Sequence, residues 1–134
     1  MSNKILVVDD ESGVRSLFQE ALTRFGYDVT VAANGEQAIS LAKTQEFEIA
    51  FLDIKMAGLN GVETLKALKK ISPALQAVMI TGYAGEDLVS ESFSEGAFVC
   101  LPKPFGIAKI IETVRALTGG QDAELEPEAE EALA

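Results

Sequence analysis

Short apolar runs alternate along the chain with stretches in which apolar residues return every three or four positions. Ile5 to Val8, Ile49 to Leu52, Ala77 to Ile80 and Ala97 to Leu101 are continuous rather than alternating, as strands buried on both faces are. Tyr27 to Ala32 reads as one further strand. Between them, Val14, Leu17, Phe18, Ala21 and Leu22 fall at helical spacing, with Ser12 as the expected cap and Gly26 as the terminator. Asn34-Gly35 opens a second helix, and Val62, Leu65, Leu68 and Ile71 mark a third that stops at Ser72-Pro73. Glu86 to Ser94 carries only scattered Leu88, Val89 and Phe93, which predicts a lightly anchored fourth helix, more mobile than its neighbours. Ile107 to Leu117 is the fifth. Strands alternating with helices at short intervals call for an α/β fold, a doubly wound five-stranded parallel sheet with helices on both faces.

That architecture gives meaning to the residues at which the strands end. Strand one ends in Asp9-Asp10, strand three in Asp53, strand four in Thr81 and strand five, after Pro102, in Lys103. Parallel strands bring all of these to one edge, the edge beyond which open α/β sheets bind ligands. Gathered carboxylates repel one another and lose hydration, which is costly unless a cation sits among them. An oxygen-rich site suits Mg²⁺ or Mn²⁺, with waters and a backbone carbonyl completing the shell. A hard cation, a lysine and a hydroxyl around a strand-end carboxylate form a phosphoryl-transfer arrangement in which Asp53 attacks phosphorus while the ion and Lys103 hold its oxygens.

Composition narrows the chemistry further. With 134 residues the chain is expected to form one domain, residues 1–120, followed by an acidic tail, residues 121–134. That tail carries −6 of the net charge of −10 and no Lys or Arg, and is expected to be solvated and flexible. No basic stripe is present, so direct nucleic-acid binding is not expected. No apolar run is long enough for a membrane span and the start lacks a secretory pattern, so the expected location is cytoplasmic. Histidine is absent, which removes His-based general-base catalysis and any route by which the chain itself could be a histidine phosphodonor. Cys100, the single cysteine, excludes an internal disulfide and is expected to be a buried inert thiol.

Four fragments in order then carry a resemblance: Ile5-Leu6-Val7-Val8-Asp9-Asp10-Glu11, Phe51-Leu52-Asp53-Ile54-Lys55-Met56 with Gly61 beyond it, Met79-Ile80-Thr81-Gly82, and Leu101-Pro102-Lys103-Pro104-Phe105. From residue 3 to about 118 the chain resembles the CheY-like receiver domains of bacterial two-component response regulators. The resemblance implies a (βα)5 flavodoxin-like fold with strand order 2-1-3-4-5. It implies that Asp53 accepts a phosphoryl group from a sensor histidine kinase or a histidine phosphotransfer protein. Asp9, Asp10, Asp53 and the Lys55 carbonyl would hold Mg²⁺, Thr81 would bond the phosphoryl group, Lys103 would pair with it, and Lys103-Pro104 would be cis.

The residues two past the acceptor and two past the threonine, Lys55 and Tyr83, would flank the approach of water and favour a lifetime of many minutes. Such a chain phosphorylates itself from a donor and loses the group slowly, without being a turnover enzyme. It is expected to be a monomer or a weak phosphorylation-dependent dimer, and to act on a downstream protein through strand four, helix four and strand five.

Two positions depart from the family pattern. Ala57 stands where a proline is usual. Cys100 stands where a switching Tyr or Phe is common, and Phe98, two residues earlier, is expected on the same side of the strand. Three rival readings are a phosphorylation-independent interaction module of the same fold, a receiver fragment of a larger transcriptional regulator, and a Mg²⁺-dependent phosphohydrolase.

Overall fold

The structure, a computed structural model, describes residues 3–82, 86–103 and 106–118. Tyr83, Pro104, the residues 119–134 that include the acidic tail, and the expectations placed on them lie outside the described residues. The elements follow the apolar rhythm: β1 (Lys4–Val8), α1 (Ser12–Arg24), β2 (Asp28–Ala32), α2 (Gly35–Thr44), β3 (Ile49–Asp53), α3 (Gly61–Ile71), β4 (Gln76–Thr81), α4 (Glu86–Ser94), β5 (Ala97–Pro102) and α5 (Ile107–Thr118). All strand pairs are parallel, in the order β2-β1-β3-β4-β5, the (βα)5 arrangement.

Alternate residues of the central strands feed two separate cores, which is why their runs show no polar positions. Ile5, Val7, Ile49, Phe51, Val78 and Ile80 pack under α1 and α5. Leu6, Val8, Ala50, Leu52, Ala77 and Met79 pack under α2 and α3, with Leu88 and Val89 of α4 at the margin. The β3 strand is buried throughout, so Asp53 ends a rigid element. Phe18 of α1 locks it from one side, its ring 4.7 Å from that of Phe51.

Helix starts follow local chemistry where the sequence offers a short polar side chain. Asn34 accepts the Gln37 N–H at 2.8 Å. Asn60 and Glu63 form a reciprocal capping box, both bonds 2.9 Å, so α3 begins directly after the loop that follows Asp53. The first helix differs from expectation. Its cap position is Glu11 rather than Ser12, and no side chain caps it.

The β5 strand also departs from simple alternation. Ala97 pairs with Ala77 and Val99 with Val78, so Phe98 is an extra residue at a register shift. Its side chain is 55% exposed and joins neither core, whereas Cys100 is half-buried against the α2–α4 side. Phe98 sits at the irregularity that precedes the evenly paired stretch from Val99 to Pro102, so it differs from Cys100 in exposure. Among the described residues no helix is long and apolar enough to cross a membrane.

Candidate functional site

The register places β1 and β3 side by side, Val8 opposite Leu52, so the chain emerges from both strands at one edge with Asp9 next to Asp53. Thr81 closes the adjoining β4, where Ile54 N–H donates to the Ile80 carbonyl at 2.9 Å. Lys103 follows β5 and its N–H donates to the Thr81 carbonyl at 2.7 Å. Residues far apart in sequence thus become neighbours through strand pairing alone.

Carboxylate oxygens of Asp9, Asp10, Glu11 and Asp53 all lie within 4.8 Å of one another. Asp9 is enclosed completely and Asp53 almost so, while Asp10 and Glu11 are exposed. The Lys103 ammonium enters this cluster, 2.9 Å from Glu11 Oε1, 3.0 Å from Asp9 Oδ2 and 3.5 Å from Asp53 Oδ2. Asp9 Oδ1 accepts the Glu11 N–H at 2.9 Å, and Asp53 Oδ1 accepts the Lys55 N–H at 3.3 Å. Asp9 Oδ2 has the ammonium beside it but no hydrogen bond, and the Thr81 hydroxyl is likewise buried without a hydrogen-bond partner. The ammonium satisfies the Asp9 oxygen, whereas the Thr81 hydroxyl lacks a partner among the described residues and points to a group that they do not supply.

Burial, and then the charge of Asp9, push the Asp53 carboxyl from 3.8 up to about 6, against the pull of Lys103 and the Lys55 N–H. For Lys103, burial acts to lower the value, but the contacts with Glu11 and Asp9 and the Asp53 charge overcome it and raise the ammonium above the ordinary lysine range. Burial also pushes the Cys100 thiol up, which suits an unreactive sulfur.

The donor set therefore fits a hard divalent cation: all oxygen, two members buried, four carboxylates against a single ammonium, and a carboxylate that resists ionising alone. This leads to a pH-dependent expectation. Because the Asp53 value is raised, the cation-free fold binds a proton between about pH 6 and 4 that the unfolded chain does not, and it gains stability as pH falls through 6. Mg²⁺ should replace that proton at higher pH. At roughly tenfold its Kd it should stabilise by about 1.4 kcal/mol near pH 7.5, and by much less near pH 5. Thermal melts with Mg²⁺ and with chelator at the two pH values check this; an equal shift at both would remove Asp53 from the cation's ligands.

Two contributors escaped the reading of the sequence. Glu11 binds Lys103, and Arg15, one turn into α1, donates from Nη1 to the Asp9 carbonyl at 2.8 Å, fixing the β1–α1 turn. The signal for the first was an acid directly after the Asp9-Asp10 pair; the second had none beyond its place on the helix. Conversely, Phe98 stands away from the acid cluster, and Cys100 pairs with Met79 two positions before the end of β4. A cavity of about 830 Å³, lined by Lys4, Phe47 and Gln76 among others, lies at the opposite end of the sheet from the acids. The acid cluster itself opens to solvent through Asp10 and Glu11.

The sequence profile described as "Response regulator receiver domain" matches residues 5–115. The chain belongs to the response regulator receiver family. Sporulation initiation phosphotransferase F of Bacillus subtilis is 36% identical over 115 residues, covering 86% of this chain and 93% of that protein. A CheY-like receiver domain protein from Methanospirillum hungatei superposes with a TM-score of 0.85 at 28% identity, covering 89% of this receiver and 96% of the other. A Burkholderia pseudomallei response regulator, solved with a phosphorylated aspartic acid, a calcium ion and citrate, gives 0.78 at 25% identity, over 98% of this chain and 71% of that one. Curated relatives also include longer transcriptional regulators, of which the receiver spans about a quarter; for the ZraR protein of Klebsiella oxytoca the share is 24%. The acid cluster of this receiver is thus a site of the phosphoacceptor type.

Proposed function

We propose that Asp53 is the phosphoacceptor, taking a phosphoryl group from a phosphohistidine of a sensor histidine kinase or histidine phosphotransfer protein. The observation that carries this reading is the placement of Asp53: a nearly buried carboxylate at a rigid strand end, with Asp9 and Asp10 on one side and the Lys103 ammonium 3.5 Å away. In the transfer, an Asp53 oxygen forms the O–P bond of an acyl phosphate as the P–N bond to the donor imidazole breaks. The imidazole nitrogen keeps that electron pair and takes a proton from solvent. The donor histidine must come from a partner, since this chain has none.

Asp9, Asp10 and Asp53, with the Lys55 carbonyl, would hold Mg²⁺, which supplies positive charge against the oxygens of the transferring group. Lys103 supplies a second positive charge, and the unpartnered Thr81 hydroxyl is free to donate a hydrogen bond to the phosphoryl product. The phosphorylated aspartate and calcium ion of the Burkholderia protein and the phosphotransferase name of the Bacillus relative favour this chemistry.

Thr81 connects the site to α4 and β5, where Phe93 and Phe98 are exposed and available to a downstream protein. Residues 1–120 would act as one receiver unit, self-phosphorylating and slowly self-dephosphorylating rather than turning over a substrate. A second reading, that it is the receiver portion of a longer regulator, draws on the relatives matched over a quarter of their length.

Incubation with acetyl phosphate and Mg²⁺ should add one phosphoryl mass, mapped by peptide analysis to Asp53 and abolished by chelation. Following the mass after donor removal should give a lifetime of minutes or longer. A phosphoryl group found elsewhere would displace Asp53, and decay within seconds would rule out the guarding role given to Lys55 and Tyr83.

A further inference from the structure

Glu11 stands at the cap position of α1 but does not cap it. Its backbone is extended, with φ −91° and ψ 119°, and its side chain makes no bond to the helix. That carboxylate, 64% exposed, instead takes Lys103 Nζ at 2.9 Å, the shortest of the ammonium's three carboxylate contacts. The other two partners differ in kind. Asp9 and Asp53 are buried, and theirs are the oxygens that a divalent cation would claim. Lys103 cannot keep Asp9 Oδ2 and also leave it to a cation.

We propose that Glu11 is a positioning residue for Lys103: it is the carboxylate to which the ammonium retreats when a divalent cation takes Asp9 and Asp53. Lys103 then stays beside Asp53 without competing for its oxygens and without swinging into solvent. The inference rests on the reading of Asp9, Asp10 and Asp53 as a cation site.

Both ends of the pair are tethered, so the retreat needs only side-chain rotation in Lys103. The Glu11 N–H is tied to Asp9 Oδ1 at 2.9 Å, and the Lys103 N–H is tied to the Thr81 carbonyl at 2.7 Å. Charge favours the exchange as well. The cluster holds four carboxylates, three of them in contact with the ammonium, so a divalent cation supplies positive charge that it still lacks, and Glu11 prevents its arrival from forcing two cations onto the same oxygen.

The test is a double-mutant cycle on Mg²⁺ affinity, by calorimetry at fixed salt, for the parent, Glu11→Gln, Lys103→Met and the double variant. In the parent background Glu11→Gln should weaken Mg²⁺ binding about three- to tenfold, because the released ammonium settles on Asp9 and Asp53. In the Lys103→Met background the same change should alter affinity by less than about twofold. Nitrogen-15 spectra of the lysine ammonium groups give a second readout: with Mg²⁺ bound, the Lys103 signal should persist in the parent and vanish in Glu11→Gln. Equal losses of affinity in both backgrounds would overturn the proposal and make Glu11 a direct ligand or a plain surface charge. A parent that binds no Mg²⁺ would instead overturn the cation site, and the retreat with it.

Discussion

Asp53→Asn is expected to take up no phosphoryl group and yet to melt at a higher temperature than the parent. The loss follows from chemistry: a carboxamide offers no anionic oxygen to attack phosphorus, and Asp9, the other buried carboxylate at the edge, is already paired with the Lys103 ammonium at 3.0 Å. The gain follows from the raised carboxyl value. A group whose value stands at about 6 instead of 3.8 is ionised near pH 7.5 only at a cost to the fold, and asparagine removes that charge at nearly constant volume. Lys103 keeps Glu11 and Asp9 as partners, so the ammonium is not abandoned. With chelator present, a gain of about 1–2 kcal/mol is expected after allowance for solvent at the open edge, or a rise in Tm of roughly 3–8 °C. It should shrink as pH falls through 6, where the parent's own Asp53 takes a proton. Mass spectrometry and thermal melts check the two halves. Phosphoryl uptake by the variant would move the chemistry elsewhere, and a lower Tm would mean that the Lys103–Asp53 pair outweighs the burial of charge.

Gly61→Ala should produce the largest loss of stability of any single methyl group added to the described chain. A Cβ at Gly61 would run into the Asp53 carbonyl oxygen and lie 2.7 Å from Ile54 Cα, both backbone atoms of the strand end and its exit. The Gly61 N–H also donates to the Ile54 carbonyl at 2.7 Å, which is the closure that turns the loop back beside Asp53. No flexible side chain is there to yield, so α3 must back away from β3. A cost of about 3 kcal/mol is expected, with weaker Mg²⁺ binding because the Asp53 backbone shifts too. Gly13→Ala is the control. Nothing lies within 4 Å of its Cβ, and it sits in the first turn of α1, so it should stabilise by about 0.5–1 kcal/mol. A Gly61→Ala variant that melts within a degree or two of the parent would show that the loop gives way at no cost.

These two glycines illustrate how much the sequence discloses. That a glycine follows Asp53 at a fixed distance is visible in the chain, but its reason, the approach of α3 to the strand end, exists only once β3 and α3 are packed. The strands and their charged endings were legible because burial on both faces leaves an unmistakable apolar run, and because parallel pairing sends every run's end to one edge. Glu11 was not legible as a partner of Lys103, since 92 residues separate them and a Glu beside Ser12 reads locally as part of a helix start. The register shift at Phe98 was not legible for a related reason: only the pairing of β5 with β4 makes it the residue left over.

That leftover residue bears on how the molecule behaves at high concentration. The β5 strand is an outer strand of the sheet, and an outer strand with free backbone groups is a template on which another chain can build. Here the register shift at Phe98 breaks its regular spacing near one end, and Pro102, which has no N–H, removes a donor at the other. A foreign strand would find only Val99 to Leu101 evenly spaced between the two interruptions, too short a ladder to hold it. An exposed aromatic ring on a sheet margin would ordinarily invite aggregation; set on a kink, Phe98 can meet a folded partner's surface while the backbone beneath it resists extension into a fibril.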